Sequence, residues 1–146
     1  MKICDKIGPV RHLGVIVEDL DTSIELYKRL YDVSDDQIRI VPPPDSPQAK
    51  ETRFAFIPIG NMEFELIHPI SDSFKALLGN PPPGMNHIAY TVDNIEEAVG
   101  IMKARGVRLG HVTRDGILDM KTSRVAYFNP EDTGGVLLEF VEPATP

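Results

Sequence analysis

An internal repeat constrains the fold of this chain more than any other feature of its sequence. The segment from Val10 to Val17 resembles the one from Asn86 to Val92, and the segment 62–69 resembles 136–143. The two matches have nearly the same offset, so the chain contains two copies of one unit. A unit that occupies half of 146 residues would be marginally stable alone, and we therefore expect both copies to share one domain.

Each copy is predicted to begin with a strand followed by a helix. In the first copy, residues 10–17 predict a strand, and the acidic and hydroxyl residues 18–22 are typical of a helix start. In the second copy, residues 87–92 predict a strand, and apolar residues at helical spacing follow over 95–102. Gly106 stands where helices commonly end in a glycine.

The residues after each helix predict three further strands. These are 36–41, 52–58 and 62–68 in the first copy, and 107–112, 122–128 and 135–142 in the second. A short helix over 72–78 and a stiff Pro-Pro-Pro-Gly segment at 81–84 separate the copies. We therefore predict a single α+β domain over residues 1–146, built from two tandem βαβββ modules at 8–79 and 84–143. Their strands are expected to form a curled mixed sheet around a metal-binding cleft.

The two copies each contribute one histidine and one glutamate, namely His12 with Glu65 and His87 with Glu139. Side chains alternate across a strand, so these residues share their faces with apolar neighbours. We expect no Lys or Arg beside them on these faces. A half-buried carboxylate without a partner costs several kcal/mol, and a divalent ion would remove that cost.

The metal hypothesis depends on the joint pattern rather than on any one residue. Taken singly, each histidine would more simply be a hydrogen-bonded core residue, and each glutamate an exposed one. Two imidazoles and two carboxylates suit zinc, cobalt, nickel, manganese or iron alike. A bound ion with open coordination positions could polarise a substrate oxygen.

Composition excludes several classes of protein. The net charge of −7 argues against non-specific nucleic-acid binding, which needs clustered cations. The single Cys4 cannot form an intramolecular disulfide, which favours a reducing compartment. No apolar run approaches the roughly 20 residues of a membrane span, and the first residues lack the apolar region of a signal peptide. We predict a cytoplasmic protein that binds neither nucleic acid nor membrane.

The chain resembles the vicinal-oxygen-chelate superfamily, which includes glyoxalase I, extradiol dioxygenases and methylmalonyl-CoA epimerase. The resemblance extends from about Val10 to Pro143 and is strongest to the epimerase-like branch. The segments that carry it are His12-Leu13-Gly14-Val15-Ile16-Val17, Arg53-Phe54-Ala55-Phe56-Ile57-Pro58-Ile59-Gly60-Asn61, Glu65-Leu66-Ile67-His68-Pro69, Asn86-His87-Ile88-Ala89-Tyr90 and Thr133-Gly134-Gly135-Val136-Leu137-Leu138-Glu139.

This resemblance implies a function. It implies a divalent metal bound by His12, Glu65, His87 and Glu139, a substrate whose two neighbouring oxygens chelate that metal, and a homodimer. The favoured substrate is methylmalonyl-CoA, an acyl-CoA whose C2 proton is removed to give a metal-stabilised enolate.

The resemblance also directs attention to residues that would act on the substrate. Glu139 is the first candidate for the base, and Glu51 is a weaker candidate for its acid–base partner. Candidate contacts to phosphate or carboxylate are Arg53, Lys121 and Arg124. Two segments depart from the epimerase pattern: residues 115–123 are bulkier than the usual glycine-rich stretch, and the loop acid is displaced to Glu51. Both departures bear on the substrate rather than on the metal.

Three other functions stay open from the sequence. A glyoxalase I-type lactoylglutathione lyase would use the same four ligands and the same proton abstraction. A lyase or extradiol dioxygenase of this fold is a second alternative, although two glutamate ligands count against the dioxygenase. The third is a ligand-sequestering protein without catalytic activity.

Overall fold

The computed structural model describes residues 2–145, and these form two compact units. One unit contains the residues up to Arg11 together with those from His87 onward, and the other contains His12–Asn86. The boundary between the units falls inside the first strand. The predicted single domain with modules at 8–79 and 84–143 stays a prediction.

The unit His12–Asn86 contains the first copy of the repeat. Its elements are β1 (Ile7–Ile16, shared with the other unit), α1 (Leu20–Tyr31), β2 (Arg39–Val41), β3 (Thr52–Ile59), β4 (Met62–Pro69) and α2 (Asp72–Leu77). The strands are ordered β2-β3-β4-β1, with β1 parallel to β4 and the other pairs antiparallel. The predicted helix start is confirmed, because the Asp19 carboxylate accepts a hydrogen bond from the Thr22 N–H at 3.0 Å.

The other unit contains the second copy. Its elements are β5 (Gly84–Val92), α3 (Ile95–Ala104), β6 (Leu118–Met120), β7 (Ser123–Tyr127) and β8 (Leu137–Pro143). The order is β5-β8-β7-β6, with β5 parallel to β8 and the other pairs antiparallel. Asn94 caps α3 through the Glu97 N–H at 3.0 Å. Gly106 adopts a positive φ of 83° just after the helix, as predicted.

The predicted strand over 107–112 is wrong. Only Leu109 makes a bridge there, to Phe128, and His111–Thr113 form a 3₁₀ turn. The second strand of this copy is instead β6, which begins at Leu118. Similarly, Asp35–Gln37 form a capped 3₁₀ turn, so β2 is shorter than the predicted 36–41. In both places side-chain hydrogen bonds to the backbone compete with strand pairing.

In each unit the strands have one face covered by a helix and one face that carries the histidine and glutamate. In the first unit, Leu20 and Ile24 of α1 pack with Ala55 of β3 and Leu66 of β4. Glu65 neighbours Leu66 and therefore points to the opposite face. In the second unit, α3 packs on the face that carries residues 126 and 140, so residue 139 likewise points away from the helix. Within residues 2–145, no helix is both long enough and apolar enough to cross a membrane.

Candidate functional site

His12 and Glu65 form a close pair in the first unit. The two residues lie on the neighbouring parallel strands β1 and β4, and His12 Nε2 is 3.6 Å from Glu65 Oε1. His12 is only 6% exposed. The Cα partner of Glu65 is Gly14, which has no side chain, and the carboxylate instead meets the imidazole two positions away along β1. The residue directly beside the glutamate on β1 is therefore a glycine.

His87 and Glu139 repeat this arrangement in the second unit. They lie on the parallel strands β5 and β8, and His87 Nε2 is 3.2 Å from Glu139 Oε1. His87 is 4% exposed and Glu139 is 3% exposed. The Cα partner of Glu139 is Ala89, again a small residue two positions after the histidine. The duplication thus preserved the geometry of the pair as well as its residue types.

The separations within both pairs fit two neighbouring ligands of a metal ion. Bonds of about 2.0–2.2 Å from a metal to nitrogen or oxygen place adjacent ligand atoms about 3.0–3.5 Å apart. The separations of 3.2 and 3.6 Å lie at or close to this range. Imidazole nitrogen and carboxylate oxygen are the ligands that first-row divalent ions accept. Each pair therefore fits half of the ligand set predicted from the sequence.

The guanidinium group of Arg39 lies on the same face of the first unit as His12 and Glu65. Phe56 is the Cα partner of Glu65, and its ring lies edge-on to the His12 ring with 6.4 Å between centroids. The Arg39 Cζ atom lies 4.2 Å from the centroid of the Phe56 ring, and Arg39 Nη2 is 3.9 Å from Glu63 Oε1. Arg39 belongs to β2 and not to the strands that carry His12 and Glu65, and its position depends on the register of β2 on β3, which could not be read from the sequence.

His111 lies beside the second pair, although its sequence position gave it no role. The His111 ring packs edge-on against Tyr127 with 4.9 Å between centroids, and the Tyr127 ring lies 5.5 Å from that of His87. Tyr127 is also the Cα partner of Glu139. Burial lowers the pKa of His111; the charge of His87 lowers it further, whereas Glu139 raises it. In the sequence, only the glycine directly before His111, Gly110, could have indicated an unusual backbone at this position.

The two predicted arginines lie on the helix-covered faces. Arg53 Nη1 is 3.6 Å from Asp21 Oδ1 near the start of α1. Arg124 Nη2 is 2.6 Å from Glu96 Oε1 of α3, and its Nη1 is 3.4 Å from Glu142 Oε1. The structure does not bring either arginine to the face that carries the histidine and glutamate of its unit. Their assignment as substrate contacts stays a prediction.

Lys121 and Glu51 lie outside regular strands and helices. Lys121 is exposed in the turn between β6 and β7. Glu51 directly precedes β3, and its Oε2 accepts hydrogen bonds from the hydroxyls of Ser71 at 2.5 Å and Ser73 at 3.2 Å. These serines belong to the start of α2, so the Glu51 carboxylate is held at that helix end. Its role as an acid–base partner stays a prediction.

Comparison with known proteins identifies relatives along most of the chain. A family model described as the Glyoxalase/Bleomycin resistance protein/Dioxygenase superfamily matches residues 11–127. The mitochondrial methylmalonyl-CoA epimerase of Mus musculus is 33% identical over 138 residues, which are 92% of this chain and 72% of the relative.

Solved structures share the fold. The crystal structure of methylmalonyl-CoA epimerase from Mycobacterium tuberculosis has a TM-score of 0.70 and 28% identity, covering 93% of this chain and 88% of that one. A variant of the Streptomyces coelicolor methylmalonyl-CoA epimerase, in complex with 2-nitronate-propionyl-CoA, has a TM-score of 0.74 at 22% identity, covering 95% and 99%. These likenesses confirm the predicted α+β fold of paired βαβββ modules.

Proposed function

We propose that this chain, which belongs to the Glyoxalase/Bleomycin resistance protein/Dioxygenase superfamily, is a metal-dependent epimerase of methylmalonyl-CoA. The observation that carries the proposal is the His–Glu pair, with a buried histidine, on the face of each unit that its helix does not cover. The M. musculus relative, named for this activity, supports the choice of substrate.

The proposed ligands of one divalent ion are His12, Glu65, His87 and Glu139. This assignment is supported by the sequence duplication and by the ligand-like separation within each pair. When bound, such an ion would polarise the thioester carbonyl and the free carboxylate of the substrate and stabilise negative charge that develops between them. Zinc, cobalt, nickel, manganese and iron all suit this ligand set.

Glu139 is the proposed base that takes the C2 proton of the substrate. The electrons of the broken C–H bond enter the thioester enolate, and a proton returned to the opposite face of C2 gives the other epimer. Glu139 is 3% exposed, and its Oε1 lies 3.2 Å from His87 Nε2. For the residue on the opposite face of C2 the sequence predicts Glu51, whose carboxylate accepts hydrogen bonds from two serine hydroxyls.

The proposed contacts to the CoA phosphates are Arg53, Lys121 and Arg124. Both arginines already meet carboxylates, whereas Lys121 is exposed in a turn. A phosphate that reached Arg53 or Arg124 would have to compete with those carboxylates. Lys121 is therefore the candidate we expect to contribute most to CoA affinity.

The proposed activity is tested by proton NMR of methylmalonyl-CoA in D₂O with the metal-loaded protein. We expect the C2 proton signal to disappear at a catalytic rate and EDTA to abolish this loss. The His87→Ala variant should lose exchange, whereas His68→Ala is a matched control, because His68 accepts a hydrogen bond from the Leu20 N–H on the helix side of its sheet. Retained metal without exchange would refute the substrate and direct the search to glutathione thiohemiacetals.

The proposed location is the cytoplasm, and the proposed assembly is a homodimer. Cys4 is an exposed free thiol, which suits a reducing compartment. The dimer follows from the family resemblance. Light scattering coupled to size-exclusion chromatography measures the mass in solution, and a monomer at micromolar concentration would contradict the dimer.

A further inference from the structure

We propose that His111 is a second proton-transfer residue, the partner of Glu139 in moving a proton to and from C2 of the substrate. This inference deepens the proposed epimerase function and rests on it. Observations within the second unit support it: the hydrogen bonds that hold the loop, the strained backbone at His111, and the position and contacts of the His111 imidazole ring.

The loop that carries His111 is fastened to β7 at Tyr127. The Thr113 hydroxyl lies 3.0 Å from the carbonyl oxygens of both Gly110 and Tyr127, and it accepts a hydrogen bond from the Tyr127 N–H at 2.8 Å. The Gly110 N–H donates to the Tyr127 carbonyl at 2.9 Å. Thr113 is 1% exposed, so these bonds are shielded from water. These hydrogen bonds therefore fix the position of the backbone at His111.

Gly110 is required for this close approach. A Cβ atom at this position would lie 2.7 Å from the Asn129 Cα atom, a distance at which backbone must move. The next residue, His111, has a φ of 54°, in the left-handed region that few non-glycine residues adopt. Strain of this kind is concentrated at functional sites, where the surrounding structure enforces it. Here the fastened loop imposes the conformation that points the imidazole at Tyr127.

The position of the His111 ring suits proton transfer. It packs on Tyr127, which itself contacts His87 and pairs with Glu139 across β7 and β8. His111 is only partly buried.

The proposed step balances with one proton shared by two residues. For one epimer, neutral His111 takes the C2 proton, the C–H electrons enter the enolate, and protonated Glu139 delivers its proton to the other face. For the opposite epimer, ionised Glu139 takes the C2 proton and the His111 imidazolium delivers its own. Each turnover leaves the pair ready for the reverse reaction, and no oxidant or further reactant is consumed.

The test measures solvent deuterium incorporation at C2 from each purified epimer of methylmalonyl-CoA with the metal-loaded protein. The variant is His111→Asn, because asparagine tolerates a positive φ but does not transfer protons at neutral pH. We expect epimerisation to fall at least 100-fold, the usual range for loss of an acid–base residue. Exchange should persist with the one epimer whose proton Glu139 removes and be lost with the other.

Matched variants separate this role from a structural one. His68→Asn should exchange both epimers as the wild type does, and thermal melting and metal content report whether His111→Asn remains folded and loaded. His111→Gly provides a second backbone-compatible variant. Equal loss of exchange with both epimers, or loss with neither, overturns the inference. Asymmetric exchange in Glu51→Gln but not in His111→Asn would assign the role to Glu51 instead.

Failure of the proposed function has a different signature. In that case the wild-type, metal-loaded protein exchanges neither epimer, and the role of His111 in this reaction falls with it. If the wild type exchanges both epimers and His111→Asn does too, the epimerase stands and only the inference about His111 fails.

Discussion

Replacing Thr113 by valine should destabilise the fold through a loop next to the candidate site. Valine has nearly the same shape, so no cavity forms, but the buried hydroxyl and its bonds to Gly110 and Tyr127 are lost. A net hydrogen bond contributes about 1 kcal/mol, and losing one partner of a buried pair costs about 1–3 kcal/mol. We expect a loss of about 2 kcal/mol in the free energy of unfolding and, for a chain of this length, a fall in Tm of about 6 °C.

Urea unfolding followed by circular dichroism measures this change, with the midpoint shifting and the m-value unchanged. Thr113→Ser is the matched control, because it keeps the hydroxyl and loses one methyl group, worth about 0.8 kcal/mol. If the valine variant were as stable as the wild type, or more stable than the serine variant, the hydroxyl would not fasten the loop. The epimerisation rate should fall more in the valine than in the serine variant, because His111 loses its fixed position.

The remaining predictions concern the metal, a glycine and a helix cap. His87→Ala should lower the metal bound per chain, measured by elemental analysis, whereas His68→Ala should not. Gly110→Ala should lower the free energy of unfolding by about 1–3 kcal/mol, because its methyl group overlaps backbone; a neutral result in chemical denaturation would contradict the close approach. Hydrogen bonds from the Thr22 hydroxyl and N–H hold the pKa of Asp19 below its usual value of 3.8, so its stabilising effect is present above about pH 4 and is lost as the pH falls through the lower, folded-state pKa. The stability difference between wild type and Asp19→Ala should therefore shrink on acidification, and a difference that grew would refute this account.

Much of the fold could be read from local signals. Asp19 caps its helix within the helix start predicted over 18–22, and Asn94 caps the helix of the second copy, because a cap needs only a short side chain and the first turn that follows it. Gly106 ends its helix for an equally local reason. The predicted strand at 107–112 failed because the hydroxyl of Thr113 bonds to the backbone of β7, and that contact joins positions far apart in the chain.

Some residues of the candidate site could be predicted from the sequence, and others could not. The repeat alone indicated His12, Glu65, His87 and Glu139, since duplicated residue types at a nearly constant offset occupy equivalent places on their strands. Two further neighbours, Arg39 and His111, had no counterpart in the other copy to mark them. Their placement depends on strand register and on loop packing.

The sequence by itself determined the two copies, their helices and strands, and one histidine–glutamate pair in each. Helices and strands depend on periodicity and capping, which act over a few residues. The two copies and their histidine–glutamate pairs are visible because the sequence repeats. Only the tertiary structure decided that Gly14 and Ala89 lie beside Glu65 and Glu139, that Arg39 lies on the Phe56 ring, and that a strained loop brings His111 beside Tyr127. Those contacts join residues through cross-strand pairing and buried hydrogen bonds, whose register no local pattern specifies.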